Sequence, residues 1–193
     1  MTSLITLVDW LDRNPSQVAI QALTDSELPA PEVKAYSDVV YHNYRSLGLS
    51  LQYESSSTGK AASKCDVHDL RLAAIDVYSA RDDKSWTCFP RLPIQVDLLP
   101  LDQADKSTSI TLDSTGKDLV SSLGEPHRKG GGANDRAGPA AWLEWSLDIQ
   151  SNGKATPVKL QVELNGTGAR GADRWNADRA GSCLWSVINI SRK

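Results

Sequence analysis

In 193 residues the chain holds three cysteines, three histidines, one methionine and one phenylalanine. Each scarcity closes off a class of protein. Cys65, Cys88 and Cys183 are odd in number and far apart, so they do not form the paired framework of a small secreted scaffold. Long apolar runs are missing too. No stretch approaches the roughly 18 consecutive apolar residues needed to cross a bilayer. The opening MTSLITLVDWLDR has no basic lead and carries Asp9 and Asp12 inside its apolar part, a poor pattern for a secretory signal. The expectation is therefore a cytoplasmic protein with no membrane partner. A basic face is lacking as well: residues 1–100 hold 9 Lys/Arg against 13 Asp/Glu, and residues 101–193 hold 12 against 11. That balance offers no surface for nucleic acid.

Catalytic signatures are equally sparse. There is no G-x-S-x-G elbow, and three isolated histidines define no triad. Cys65-x-x-His68 is half of a zinc pattern with no second half, so no metal is expected. Gly166-x-Gly168-x-x-Gly171 follows a strand-like run, but the flanking strands alternate rather than being continuously apolar, and no second strand bearing an acid follows. No cofactor is expected.

What is present is periodicity. Hydrophobic content of 40% and charged content of 23% suit one large domain or two small ones. Leu4, Leu7, Val8 and Leu11 predict a helix over residues 3–13, and Asn14-Pro15 starts a second over 15–23. Residues 36–41 read as extended, with a turn near His42-Asn43. Leu47, Leu49, Leu51 and Tyr53 alternate with polar residues in a one-sided strand. Residues 54–70 read as a loop. Strands follow at 72–78, with Ala73, Ile75 and Val77 on one face, and at 94–98. After a linker over 100–111, Ser114 or Thr115 caps a short helix that stops at Gly124. Alternating strands then run over 141–149 and 158–164, joined by an Asn152-Gly153 hairpin signal, and the last spans 184–190.

The two halves thus share one order: capped helix, loop, three alternating strands. LGLSLQY aligns with AWLEWSL, LAAIDVY with VKLQVEL, and LPIQVDL with LWSVINI. The expected class is α+β, with two similar units at 1–100 and 101–193, each a helical segment on an antiparallel sheet of three or four strands. This order, with the helix exit Leu123-Gly124-Glu125-Pro126, resembles the BLIP-like and SmpA/BamE-like folds. The tandem form is similar to the β-lactamase inhibitory protein family, in which two such units build a concave sheet that grips a protein. That family is secreted, with disulfides inside its repeats, so the resemblance implies the fold and not the inhibitory activity. The stretch LGEPHRKGGG is also similar to a signature of fungal proteins, which implies no activity.

Residues 123–145 concentrate the candidate chemistry. His127, Arg128 and Lys129 followed by Gly130, Gly131 and Gly132 have the ingredients of an anion site: convergent backbone N–H groups beside permanent charge. A solvated connection between helix and strand accounts for the same residues. If Leu143, Trp145 and Leu147 face the helices, Trp142 and Glu144 face the other way, and by the same alternation so does Trp185. An outer face bearing Trp142, Glu144, Gln161, Glu163 and Trp185 suits recognition, because tryptophan is favoured at interface centres. Burial of these tryptophans under loops or the other unit is the competing arrangement. The leading expectation is a non-enzymatic binding module for a protein or a small anionic ligand, acting as monomer or homodimer. The alternative is a small-molecule enzyme with its pocket under residues 127–138, using His127 as acid or base, Arg128 and Lys129 to hold an anion, and Glu144 as a further catalytic group.

Overall fold

Alternation dominates this chain, and it builds sheet. The computed structural model describes residues 1–98, 106–131, 140–151 and 154–193. Its strands are β1 (Thr2–Ser3), β2 (Glu32–Ala35), β3 (Val39–Tyr44), β4 (Leu49–Ser55), β5 (Leu70–Tyr78), β6 (Ile94–Leu98), β7 (Lys106–Ile110), β8 (Arg128–Gly130), β9 (Trp142–Ser151), β10 (Lys154–Leu164) and β11 (Trp185–Arg192). The helices are short: α1 (Leu4–Val8), α2 (Gly116–Leu123) and α3 (Ala177–Gly181). The class is α+β and mostly antiparallel.

Eight strands form one sheet in the order β2-β3-β4-β5-β11-β10-β9-β8, every pair antiparallel. Residues 32–78 supply one half and residues 128–192 the other, and the halves meet at the β5–β11 ladder. A three-stranded sheet, β1-β6-β7, holds the parallel pair β1–β6. The strand over 94–98 therefore pairs with β1 and β7 instead of extending the sheet that holds β4 and β5.

One face of the large sheet is apolar. A row crosses it in register: Leu51, Ile75, Ile190, Leu160 and Trp145, each with no exposed surface. Helix α1 packs against this face through Leu4, Leu7 and Val8, reaching β6, β9 and β11. Burying such side chains stabilises by about 1.5–3 kcal/mol each, so this face sets the register of β4, β5, β11, β10 and β9.

Two bulges interrupt the alternation. Between Gln52 and Tyr53 the β4–β5 register shifts, so that Gln52 lies opposite Ala74 and Tyr53 opposite Leu72. Ala73 is the extra residue. Leu72 therefore joins Ile75 and Val77 in the core, and Ala73 is only half-buried. In β11 a second shift puts Val187 opposite Glu163 and Trp185 opposite Leu164, with Ser186 between them.

The helices are shorter than periodicity predicts. Past α1 the backbone turns to pair with β5: Asp12 N donates to Leu72 O and Leu72 N to Arg13 O, both at 2.9 Å. Asp12 takes φ +65 to do so. Residues 15–23 form two 3-10 turns, Pro15–Gln17 and Ile20–Leu23, separated by extended Val18. The capping box of Asn14 with Gln17 is present. His42 and Asn43 lie within β3, and the turn comes later, at Arg45–Leu47. Residues 62–64 and 67–69 of the expected loop form 3-10 turns. Thr115 caps α2 reciprocally with Asp118. Asn152 and Gly153 lie outside the described residues.

Gly48 is fixed by crowding. It sits at φ +54, and a Cβ there would lie 2.3 Å from Thr87 O. Gly59, at φ +80, has open space around the same position. Gly48→Ala should cost about 2–4 kcal/mol and Gly59→Ala about 1 kcal/mol, as read from urea unfolding midpoints. Equal losses would show that backbone strain alone sets both.

Candidate functional site

The other face of the large sheet is polar, and one row of it runs through all eight strands. In register it reads Glu32, Asn43, Ser50, Asp76, Asn189, Gln161, Glu144 and Arg128. Lys159, Gln161, Glu163, Val187, Asn189 and Trp142 on this face are all half-exposed, whereas their neighbours on the apolar face are buried.

Asp76 is the centre of the row. It accepts hydrogen bonds from Gln52 Nε2 and Asn189 Nδ2, both at 2.6 Å. Burial raises its pKa, and these two amides oppose that shift only in part. No cation among the described residues pairs with it. Glu163, two strands away, is also raised: burial is the first cause, with the negative charges of Asp82 and Asp76 adding to it and Arg170 opposing. Both lie in a cavity of about 420 Å³ with Tyr78, Gln161, Val187 and Asn189. A second cavity of about 510 Å³ also reaches Asp76 and Tyr78, and extends towards Tyr36, Tyr41 and Trp86. Two partly buried carboxylates, each with its pKa raised by burial, thus share one trough.

The β4 end of the trough is walled by the segment after β5. Trp86 stacks on Tyr78 at 3.9 Å and 5° between planes. Arg45 lies 4.8 Å from the Trp86 ring, binds Glu32 at 2.6 Å and donates to Ser85 Oγ at 2.7 Å. One guanidinium therefore ties the row's first residue to the wall.

The residues singled out from sequence are dispersed. Trp142 is on the polar face as expected, with Arg128 Cζ 5.9 Å from its ring. Glu144 is there too, 6% exposed, and pairs with Arg128 at 3.5 Å. Trp185 is not. The extra residue Ser186 reverses its direction, so it is wholly buried on the apolar side, with Nε1 donating to Thr111 O at 2.8 Å. Arg128 and Lys129 are neighbours in a strand and point to opposite faces: Lys129 lies opposite Leu143, 5.9 Å from the Trp175 ring. They do not converge on one anion. His127 Nδ1 accepts from Ser146 N at 3.2 Å. The glycines serve close packing. A Cβ on Gly130 would come within 2.2 Å of the Trp142 ring, and one on Gly131 within 2.8 Å of Ala141 Cα. Gly132 lies outside the described residues.

Among the described residues no group of three or more His, Cys, Asp or Glu is placed to hold a metal; Cys65 Sγ instead donates to Ser55 Oγ. Gly166 and Gly168 belong to a 3-10 turn, and Gly171 lies between it and the next such turn, in the segment joining antiparallel β10 and β11, not in a crossover between parallel strands. No described helix is long and apolar enough to cross a membrane. Asp76, Tyr78, Trp86 and Arg45 were not indicated by any motif. The one signal was parity: Asp76 interrupts LAAIDVY, and Asn189 interrupts SVINI, at positions facing away from the isoleucines. Comparison with family models, curated proteins and solved structures returns no match.

The raised pKa of Asp76 makes stability pH-dependent. Its folded value lies above the unfolded one, so the folded state binds the proton more tightly, and the cost of its charge is absent below the unfolded pKa and complete above the folded one. Asp76→Asn removes that charge. Relative to the parent, the variant should gain stability as pH rises above the ordinary carboxylate range, measured by urea unfolding at several pH values. A difference that stays flat with pH would show that Asp76 is freely hydrated.

Proposed function

We propose that this protein is a non-enzymatic binding module whose recognition surface is the polar face of the eight-stranded sheet. Its centre is the trough at Asp76 and Glu163, and its occupant is a protein segment that presents a lysine or arginine side chain. The observation that carries this reading is that two partly buried carboxylates share one trough, and among the described residues no cation is ion-paired with either. A face meant only for water would leave such groups hydrated, because desolvating an unpaired charge is costly. An incoming ammonium or guanidinium supplies the missing countercharge, and hydrogen bonds to a charged group are worth about 1.5–3 kcal/mol each. Trp142, opposite Glu163 on the same face and with Arg128 over its ring, provides apolar contact area beside the polar centre. The enzymatic alternative loses its main support, since Arg128 and Lys129 face apart.

The same reading takes the chain as two similar units. From the β5–β11 seam outward, each half runs through its strands in reverse chain order, and a helix precedes each set. A two-fold axis at the Asp76–Asn189 pair would exchange β4 with β10 and β5 with β11. It would also exchange the two bulges, since Ala73 precedes Asp76 and Ser186 precedes Asn189 by the same interval. The equivalent strands are one step removed from those that sequence pattern alone would align.

Selection of peptides from a random display library on the purified protein tests the proposal. Selected peptides should carry Lys or Arg, and their affinity should fall at least about tenfold for an Asp76→Asn/Glu163→Gln variant, by fluorescence polarisation. Peptides without a cation, or equal affinity for the variant, would sink it.

A further inference from the structure

On the apolar side of the sheet, at its β8 end, the described residues leave a separate cavity of about 540 Å³ between α2, α3 and β9. Its apolar lining includes Val120, Leu143, Leu164 and Trp175. Leu143 and Leu164 belong to the core, so the cavity opens the core to solvent at this point. Trp175 lines it and remains 42% exposed, a large apolar surface that the described residues cover only in part.

Three cations line the same space: Lys117, Lys129 and Arg174. Lys129 Nζ lies 5.9 Å and Arg174 Cζ 5.6 Å from the centre of the Trp175 ring. Arg174 Nη1 donates to Gly171 O at 2.8 Å, while its Nε is buried with no hydrogen-bond partner. Glu125 and Asp178 also line the cavity, yet among the described residues no carboxylate pairs with any of the three cations. The reason Lys129 arrives here is the strand alternation that sends Arg128 to the other face.

We propose that this cavity binds a small organic anion with a flat apolar body, of the class of aromatic carboxylates. The body would lie on Trp175 against Leu143 and Leu164, and the carboxylate would accept hydrogen bonds from Lys129 and Arg174. Volume and lining both suit such a ligand, since small-molecule sites combine an apolar cleft of about 300–1,000 Å³ with a few placed polar groups. A neutral aromatic would gain the stacking alone and leave the cations unpaired. A cationic one would meet charge of its own sign beside the indole.

Isothermal titration with 2-naphthoate, 2-naphthylmethanol and 2-naphthylmethylamine tests this. The expected result is one-to-one binding of naphthoate with a Kd of about 1 mM or tighter, at least about tenfold stronger than for the alcohol, and none for the amine. Lys129→Ala should weaken naphthoate at least about tenfold, and Trp175→Ala should abolish its binding. Both side chains are exposed, so the thermal unfolding midpoint should hold; if Trp175→Ala fails to fold, Lys129→Glu replaces it with the same expected loss. The Asp76→Asn/Glu163→Gln variant should bind naphthoate normally, which separates this site from the polar trough. No binding of naphthoate, equal binding of the alcohol, or an unchanged Kd in Lys129→Ala would overturn the proposal.

Discussion

The architecture depends on one antiparallel ladder, the pairing of β5 with β11 over Ala74–Tyr78 and Val187–Ser191. Among the described residues it is the only place where the two halves of the large sheet touch edge to edge. If its register slipped by one residue, Ile75 and Ile190 would leave the core and Asp76 would enter it. The penalty on both sides makes the alignment unique. Apolar burial under the sheet and hydrogen bonding above it therefore specify the same geometry. Asp76 and Asn189, joined at 2.6 Å, pin the seam on the side where hydrophobicity cannot.

That arrangement carries an internal opposition. The amides of Gln52 and Asn189 stabilise the ionised Asp76, while burial works against it, and burial wins. The seam is therefore held by a group whose charge the fold tolerates with difficulty. The Trp86 wall adds to this, since it covers Tyr78, and the guanidinium held against it, Arg45, is engaged with Glu32. The apolar face carries a smaller tension of its own: the indole N–H groups of Trp145 and Trp185 each find a backbone carbonyl at 2.8 Å, but the Tyr53 hydroxyl is buried with no hydrogen-bond partner among the described residues.

Sequence periodicity exposed the strands well where alternation was unbroken. Leu49–Tyr53, Trp142–Ile149 and Val158–Leu164 all lie in strands with the expected side chains inward. It failed at the bulges, because one extra residue reverses every direction beyond it and leaves no mark in composition. Ala73 and Trp185 were both misplaced for that reason. Helix lengths were overestimated at residues 9–13, where the backbone is recruited by Leu72, a contact some 60 residues away in the chain. Strand neighbours were hidden for a similar reason: β6 alternates like its predecessors, but long-range pairing with β1 decides its sheet. The candidate site was half legible. Trp142 and Glu144 followed from alternation, whereas the trough at Asp76 arises from residues far apart in sequence that no local motif unites. The basic and glycine-rich run promised an anion site, yet its glycines make room for Trp142 and its cations diverge.

The two ends of the large sheet are its shortest members, β2 with four residues and β8 with three. A long sheet normally offers its outermost backbone groups as a template on which another chain can grow. Here such an intruder would find only a few N–H and C=O groups before the edge ran out. At β2 it would also meet Glu32 and Lys34, already paired with each other at 3.3 Å. An eight-stranded sheet with one face open to solvent is thus kept from recruiting a ninth strand by the brevity of its margins.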